Sequence, residues 1–293
     1  MSCIHRFLDH LSLEKRYSVH TVRSYKTDLL IFQRYLEEIH QTNPLKATNK
    51  MIRSWLVSEI ENGNSPRSIN RKISTLKSFY KFALKDKLVR KNPTLVLTTA
   101  KVSKKLPSFL SQEEINTLLD NHPFEKNFEG VRNRLLVELF YSTGIRLSEM
   151  INIKINDFDK QGRQLKVLGK RNKERIIPLS REIISSIESY IEYRNGITIK
   201  NQLFLMLTTK GEKLNPSLVY RIINHLLSQV SSLKSTSPHV LRHTFATHML
   251  NNGADLNVIK EILGHASLSA TEVYTHNSIE KLKNVYNNAH PRA

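Results

Sequence analysis

"SPHVLRHTFATHML", residues 237–250, gathers His239, Arg242 and His243 within five residues, directly after a Ser-Pro pair. Proline at the first position of a helix costs nothing, because its missing N–H would have had no partner there, and Ser237 is a suitable cap. At about 100° per residue, Leu241, Phe245 and Met249 share one face of such a helix, while His239, Arg242 and His243 fall within an arc of about 100° on another. The apolar face belongs to a core. The polar arc lies in the first turn and a half, where unpaired N–H groups and the positive end of the helix dipole favour an anion, phosphate above all. Taken alone, the stretch also fits a satisfied histidine beside a surface arginine, so the rest of the chain decides.

The 293 residues carry 45 Lys and Arg against 26 Asp and Glu, a net charge of +19 that is not confined to one charged tail. Such a surface seeks polyanions. The charge is unevenly shared: residues 1–107 hold 21 basic and 8 acidic side chains, net +13, and residues 108–293 hold 24 and 18, net +6. The length allows two domains. Cys3 is the only cysteine, which excludes a disulfide framework within the chain and fits a reducing cytoplasm. The N-terminus "MSCIHRFLDHLSLEKR" breaks up its apolar residues with charges, so neither a signal peptide nor a membrane span is expected. With no concentrated basic cluster beside an apolar segment, nucleic acid is favoured over anionic lipid.

Helical spacing recurs in Val22, Tyr25, Leu29, Phe32 and Leu36, and again in Ile52, Trp55, Leu56 and Ile60 up to Gly63. A third series, Ile69, Ile73, Leu76, Tyr80, Ala83 and Leu84, carries Arg67, Arg71, Lys72, Lys77 and Lys81 on its remaining surface. Residues 1–93 therefore read as a helical bundle. Residues 94–107, "TLVLTTAKVSKKLP", lack helical periodicity and read as a basic linker. Extended, the stretch between Pro93 and Pro107 would span about 45 Å, enough to pass one side of a duplex.

Ser111 with Glu114 forms a capping-box pattern that opens a second domain over 108–293. "RNRLLVELFYSTG" predicts a helix closed by Gly144, and "LSEMINI" begins another. "IKINDF", "RQLKVLG" and "ERIIPL", separated by "DKQG" and "KRNK", predict a three-stranded antiparallel sheet whose second turn begins with Lys170. Helical periodicity then continues nearly to the end. Val258, Ile259 and Ile262 form a buried face, Gly264 ends that helix, and His265 sits on the exit turn. Ser269 and Glu272 make a further capping box that places Tyr274 near the start of a new helix, and Ile279, Leu282, Val285 and Tyr286 give a terminal one. The fold class is mainly α, a helical bundle plus an α-rich domain with one small sheet.

Common phosphate-handling machinery is missing. Gly169-Lys170 is followed by Arg171 and lacks the upstream glycine, so there is no P-loop. No clustered carboxylates accompany the basic groups, which argues against a two-metal nuclease. His239 and His243 have the spacing of helical zinc ligands, but Val240 stands where the metalloprotease motif has Glu, and Arg242 would place a fixed charge beside the cation. A zinc phosphodiesterase is thus a minor alternative, and no metal or cofactor is expected.

"TGIRLSEM", "GKRNKER", "HVLRHTFATHML", "LGHASLSATEVYTH" and "LKNVYNNAHPRA" resemble, in order and interval, the tyrosine recombinases. The likeness extends to "YSVHTVRSYKTDL" and "SPRSINRKISTLKSFYKF" in the first domain, and the "HPRA" ending is similar to the Xer branch. The resemblance implies a SAM-like core-binding domain, a catalytic domain with a C-terminal exchange helix that docks into a neighbouring protomer, and a cytoplasmic enzyme. It places the two phosphate-clamping arginines at Arg146 and Arg242, the turn lysine at Lys170, the histidines at His239 and His265, and the nucleophile at Tyr274. Glu149 takes the acidic position that supports the first arginine. Arg171 stands where the family often has glycine. The implied activity is DNA cleavage and rejoining through a 3′-phosphotyrosyl intermediate, in chromosome dimer resolution. Integration of a mobile element, or DNA binding without catalysis, are the alternatives. The implied partners are double-stranded DNA, a homo- or hetero-tetramer on two sites, a second recombinase subunit and a DNA translocase. Arg67, Arg71, Lys72 and Lys77 are candidates for contact with DNA.

Overall fold

The computed structural model describes residues 2–101, 108–169, 173–233, 236–264 and 276–292, without the side chains of residues 276–279 and 281. The chain divides into two compact units, Met1–Lys105 and Leu106–Ala293.

The first unit is helical throughout: α1 (Cys3–Asp9), continued by a π turn at His10–Glu14, then α2 (Val19–His40), α3 (Asn49–Glu61) and α4 (Pro66–Lys85). Side-chain oxygens start the longer helices. Ser18 accepts from the Thr21 N–H at 3.2 Å, Thr48 from Met51 at 3.4 Å, and Ser65, ahead of Pro66, from Ser68 at 3.3 Å. Phe7, Phe32, Trp55, Leu76 and Phe79 fill the core, each contributing about 1.5–3 kcal/mol by burial. Ile60 and Leu84, the last members of their series, face solvent.

Two expectations for this unit are overturned. Lys72 is not on the remaining surface of α4 but buried, with Nζ 3.0 Å from Glu59, 3.8 Å from Asp28 and 5.3 Å from the Trp55 ring centre. Because α2 and α3 both pack on α4, its covered strip is wider than its apolar series, and a lysine inside that strip must meet carboxylates. Arg71, on the rim, pairs with the same Asp28, whose carboxylate also accepts from Thr75 at 2.9 Å. The linker expected from residue 94 is the second correction. Thr94 and Leu97 are buried, Asn49 donates to the Pro93 carbonyl at 2.8 Å, and the Asn70 amide exchanges two hydrogen bonds with Ala100 at 2.8 and 2.9 Å. That half of the segment is strapped to the first unit, so the reach of an extended chain is lost over it. Lys104 and Lys105 lie outside the described residues.

In the second unit Ser111 and Glu114 form the capping box, at 2.8 and 3.1 Å, that opens α5 (Gln112–Asn116), followed by a π turn at Thr117–Asn121. Then come α6 (Phe128–Thr143) and α7 (Leu147–Met150). The antiparallel sheet β1 (Phe158–Asp159), β2 (Gln164–Leu168) and β3 (Glu174–Pro178) sets Leu165 opposite both Phe158 and Ile177, and Val167 opposite Arg175. Next are α8 (Arg181–Asn195), α9 (Pro216–Val230), α10 (Pro238–Asn251), α11 (Leu256–Leu263) and α12 (His276–Ala289). Helix α6, packed by α8, α9 and α10, is buried on nearly every side.

"IKINDF" is mostly not a strand. Residues 155–157 form a 3₁₀ turn because the Asp157 carboxylate accepts the Lys154 N–H at 2.8 Å, offering the backbone a local partner in place of a ladder. Helical periodicity is also interrupted between α8 and α9, where Leu205, Met206 and Leu207 are buried as irregular chain. The Arg194 guanidinium holds this stretch by donating to the Gln202 and Phe204 carbonyls at 3.3 and 3.2 Å. The Ser269–Glu272 capping box lies outside the described residues.

The terminal helix lies against its own unit in the single chain. Leu282, Tyr286 and Ala289 of α12 join the core of their own unit. His290 stacks on Tyr286 with ring centres 5.0 Å apart, and Arg292 holds Asp120 with a bidentate pair at 2.7 and 2.8 Å. No helix among the described residues is long and apolar enough to cross a membrane.

Candidate active site

Gly144 ends α6 with φ of +57° and makes the site possible. A Cβ there would come within 2.6 Å of both Phe245 and Leu263, so α10 and α11 approach α6 only because no side chain intervenes. The chain then turns so that Arg146 caps α7. Its backbone N–H donates to Glu149 Oε2 at 2.8 Å and its Nη1 to Glu149 Oε1 at 2.8 Å.

Glu149 is shared. Arg175 from β3 donates Nη1 to Oε1 at 3.0 Å and Nη2 to Oε2 at 2.8 Å. Burial by itself would raise the Glu149 carboxyl, but the hydrogen bonds and charge of Arg175, joined by Arg146, hold it below the usual carboxylate range. Sequence reading missed Arg175. The signal was present: strict alternation on β3 puts residue 175 on the same face as the buried Ile177, and an inward arginine must have an anion to meet.

Arg242 enters from α10, buried as its neighbours Leu241 and Phe245 are. It donates to the Gly144 carbonyl and, at 2.8 Å, to the Leu263 carbonyl. Burial, then the charge of Arg146, pushes it down to about 10, so it stays protonated at neutral pH. Ser237 precedes α10 but gives no side-chain cap, unlike Ser65 before the matching Pro66; its carbonyl instead accepts from Val240 at 2.9 Å. His239 and His243 are exposed on this helix, as the polar arc requires. Partial burial, then the charges of Arg242, His243 and Arg146, lowers the His239 pKa, so its imidazole is neutral at pH 7.

Three guanidiniums thus converge on the C-terminal end of α11. Arg175 donates to the Ile262 carbonyl at 2.8 Å, Arg242 to Leu263 at 2.8 Å and Arg146 to Gly264 at 3.4 Å. Carbonyls at a helix C-terminus lack intrahelical donors, and their partial negative charge suits cations. The structure therefore brings together Arg146, Glu149, His239 and Arg242. Lys170, His265 and Tyr274 lie outside the described residues. The residues preceding Lys170 and His265 are described: Gly169 closes onto Lys173 at 2.8 Å, and Gly264, φ +65°, ends α11 immediately before position 265. Of the DNA-contact candidates, Arg67 and Lys77 are exposed on α4, Arg71 is exposed but paired, and Lys72, buried against two carboxylates, is withdrawn.

Residues 108–281 match the phage integrase family, and residues 4–87 match the phage integrase N-terminal SAM-like domain. The tyrosine recombinase XerD of Staphylococcus haemolyticus is 40% identical over 294 residues, 99% of each chain. The tyrosine recombinase XerC of Staphylococcus aureus is 40% identical over 290 residues, 98% of this chain and 96% of its own. Among solved structures, the XerH site-specific recombinase bound to palindromic difH substrate matches with a TM-score of 0.74 at 22% identity, covering 99% of this chain and 92% of that one. A lambda integrase tetramer bound to a Holliday junction matches with a TM-score of 0.68 at 20% identity, covering 97% and 77%. The chain belongs to the phage integrase family and is a site-specific tyrosine recombinase of the Xer type.

Proposed function

We propose that the chain cuts and rejoins DNA strands through a covalent link to Tyr274, with Arg146 and Arg242 stabilising the phosphate. The convergence of Arg146 and Arg242 on one buried corner, with neutral His239 on the same helix as Arg242, carries the reading. Attack on a phosphodiester adds charge to its non-bridging oxygens, so two forked donors stabilise the transition state more than the ground state. The Tyr274 oxygen forms the new bond to phosphorus as the bond to the 5′ oxygen breaks, leaving a 3′-phosphotyrosyl ester. The phenolic proton passes to a neutral acceptor, for which His239 is suited, and the leaving 5′ oxygen takes a proton from Lys170. His265 donates a hydrogen bond to the phosphate. The ester keeps the energy of the broken bond, so rejoining needs no nucleotide.

A lowered His239 pKa has a definite sign. The neutral acceptor persists to lower pH than a free imidazole allows, and cleavage falls only as pH drops through the depressed value.

The test uses sheared host chromosomal DNA incubated with the protein in EDTA, followed by a denaturing gel and sequencing of the attached fragments. A covalent adduct in wild type, absent in Tyr274→Phe, is expected; no adduct, or one that survives that substitution, overturns the reading. The trapped sequence also separates chromosome dimer resolution, which the Xer relatives support, from integration of a mobile element. The DNA-bound and tetrameric relatives support assembly as a tetramer on two DNA sites. Since relatives called XerC and XerD are equally similar, both a homotetramer and a pair with a second recombinase are compatible with the chain. A DNA translocase as regulator follows from the resemblance alone.

A further inference from the structure

We propose that Arg175 is a positioning residue that aims Arg146 at the scissile phosphate, a role that rests on the recombinase reading above. Its guanidinium is only 5% exposed and every edge is used: Nη1 and Nη2 clamp Glu149, and Nε holds the Ile262 carbonyl. One side chain therefore ties β3 to α7 and to the end of α11. It also stands beside Gly169 and Gly264, the residues that precede Lys170 and His265 in the chain. A Cβ on Gly169, before Lys170, would lie 3.5 Å from Arg175 Nη1, and one on Gly264, before His265, would lie 3.2 Å from its side chain.

The geometry divides labour between two arginines. Arg175 takes both oxygens of Glu149 in a fork, which fixes the plane of the carboxylate. Arg146 meets that fixed plane with its backbone N–H on one oxygen and Nη1 on the other, while its Nη2 reaches Gly264 only at 3.4 Å. With 22% of its side chain exposed, Arg146 is the member placed to reach a ligand, and Arg175 is the member that keeps it aimed. A lysine at position 175 would keep the charge without the fork, so orientation and charge can be separated.

The test is a double-mutant cycle on a nicked duplex carrying the trapped target, read as the single-turnover cleavage rate at saturating DNA, with DNA affinity measured alongside. Arg175→Lys and Arg175→Gln should each slow cleavage about 10²-fold, the scale of a misplaced catalytic group, with affinity unchanged. In an Arg146→Ala background the same substitutions should have almost no further effect. An equal slowing in both backgrounds, full activity in Arg175→Lys, or failure of both variants to fold would each show that Arg175 acts otherwise and overturn the proposal. Absence of wild-type cleavage would instead defeat the recombinase reading itself.

Discussion

Each unit buries a charged cluster, and the two clusters are balanced differently. In the first unit Lys72 and Arg71 meet Asp28 and Glu59, two cations with two carboxylates. In the second, Arg146 and Arg175 share the single carboxylate of Glu149, with the guanidinium of Arg242 close enough to feel the charge of Arg146. A closed balance holds a fold together. An imbalance of positive charge, compensated partly by peptide carbonyls, is what an anion-binding site needs before its anion arrives.

The largest effect should come from breaking the closed balance. Lys72→Met leaves the buried carboxylate of Glu59 without its cation, while Asp28 keeps Arg71, and should cost about 3–5 kcal/mol in the urea transition of the first unit. A loss below about 1 kcal/mol would remove the distinction between the clusters. Arg242→Ala should do the reverse, slowing single-turnover cleavage about 10²- to 10³-fold, or about 2.7–4 kcal/mol on the barrier, while DNA binding persists.

The tail of the second unit gives a pH-dependent test. Burial pushes His290 down to about 4 from 6.5. Below 6.5 the unfolded chain binds a proton that the folded one refuses, so this contribution is complete above 6.5 and declines as pH falls towards 4. At 1.36 kcal/mol per pH unit, a shift from pH 7 to pH 5 should lower stability by about 2 kcal/mol through this group. Denaturant melts at the two pH values, repeated with His290→Phe, measure that share; an unchanged slope in the variant would refute it. The smallest effect is expected of Arg292→Ala, whose pair with Asp120 is largely solvated and worth about 0.2–1 kcal/mol. A larger loss in thermal denaturation would mean that the tail is held by charge rather than by the packing of Leu282 and Tyr286.

Much of the fold was legible in the sequence because helix periodicity and termination are local. Leu241, Phe245 and Met249 are buried as their spacing demands, Gly144 and Gly264 end their helices in the left-handed region, and Ser111 with Glu114 closes its box. What escaped depends on partners distant in sequence. Lys72 looks like a surface residue until Asp28, 44 positions earlier, is packed above it. Leu97 looks like linker until a helix bundle provides a place to bury it. Ordered motifs identified Arg146, Glu149, His239 and Arg242, which the fold brings into one corner; Arg175 ends the motif "GKRNKER", but its role emerges only from the carboxylate it grips.

The peptide oxygens at the end of α11 set a threshold for entry. A solute reaching this corner must outcompete carbonyls that already accept from Arg146 and Arg242, rather than displace loose water. Neutral molecules offer nothing stronger than an amide oxygen, whereas a phosphodiester brings a full charge and roughly doubles the strength of each hydrogen bond. The helix end thus works as a filter, yielding its donors to a nucleic-acid backbone and keeping them from the uncharged solutes around it.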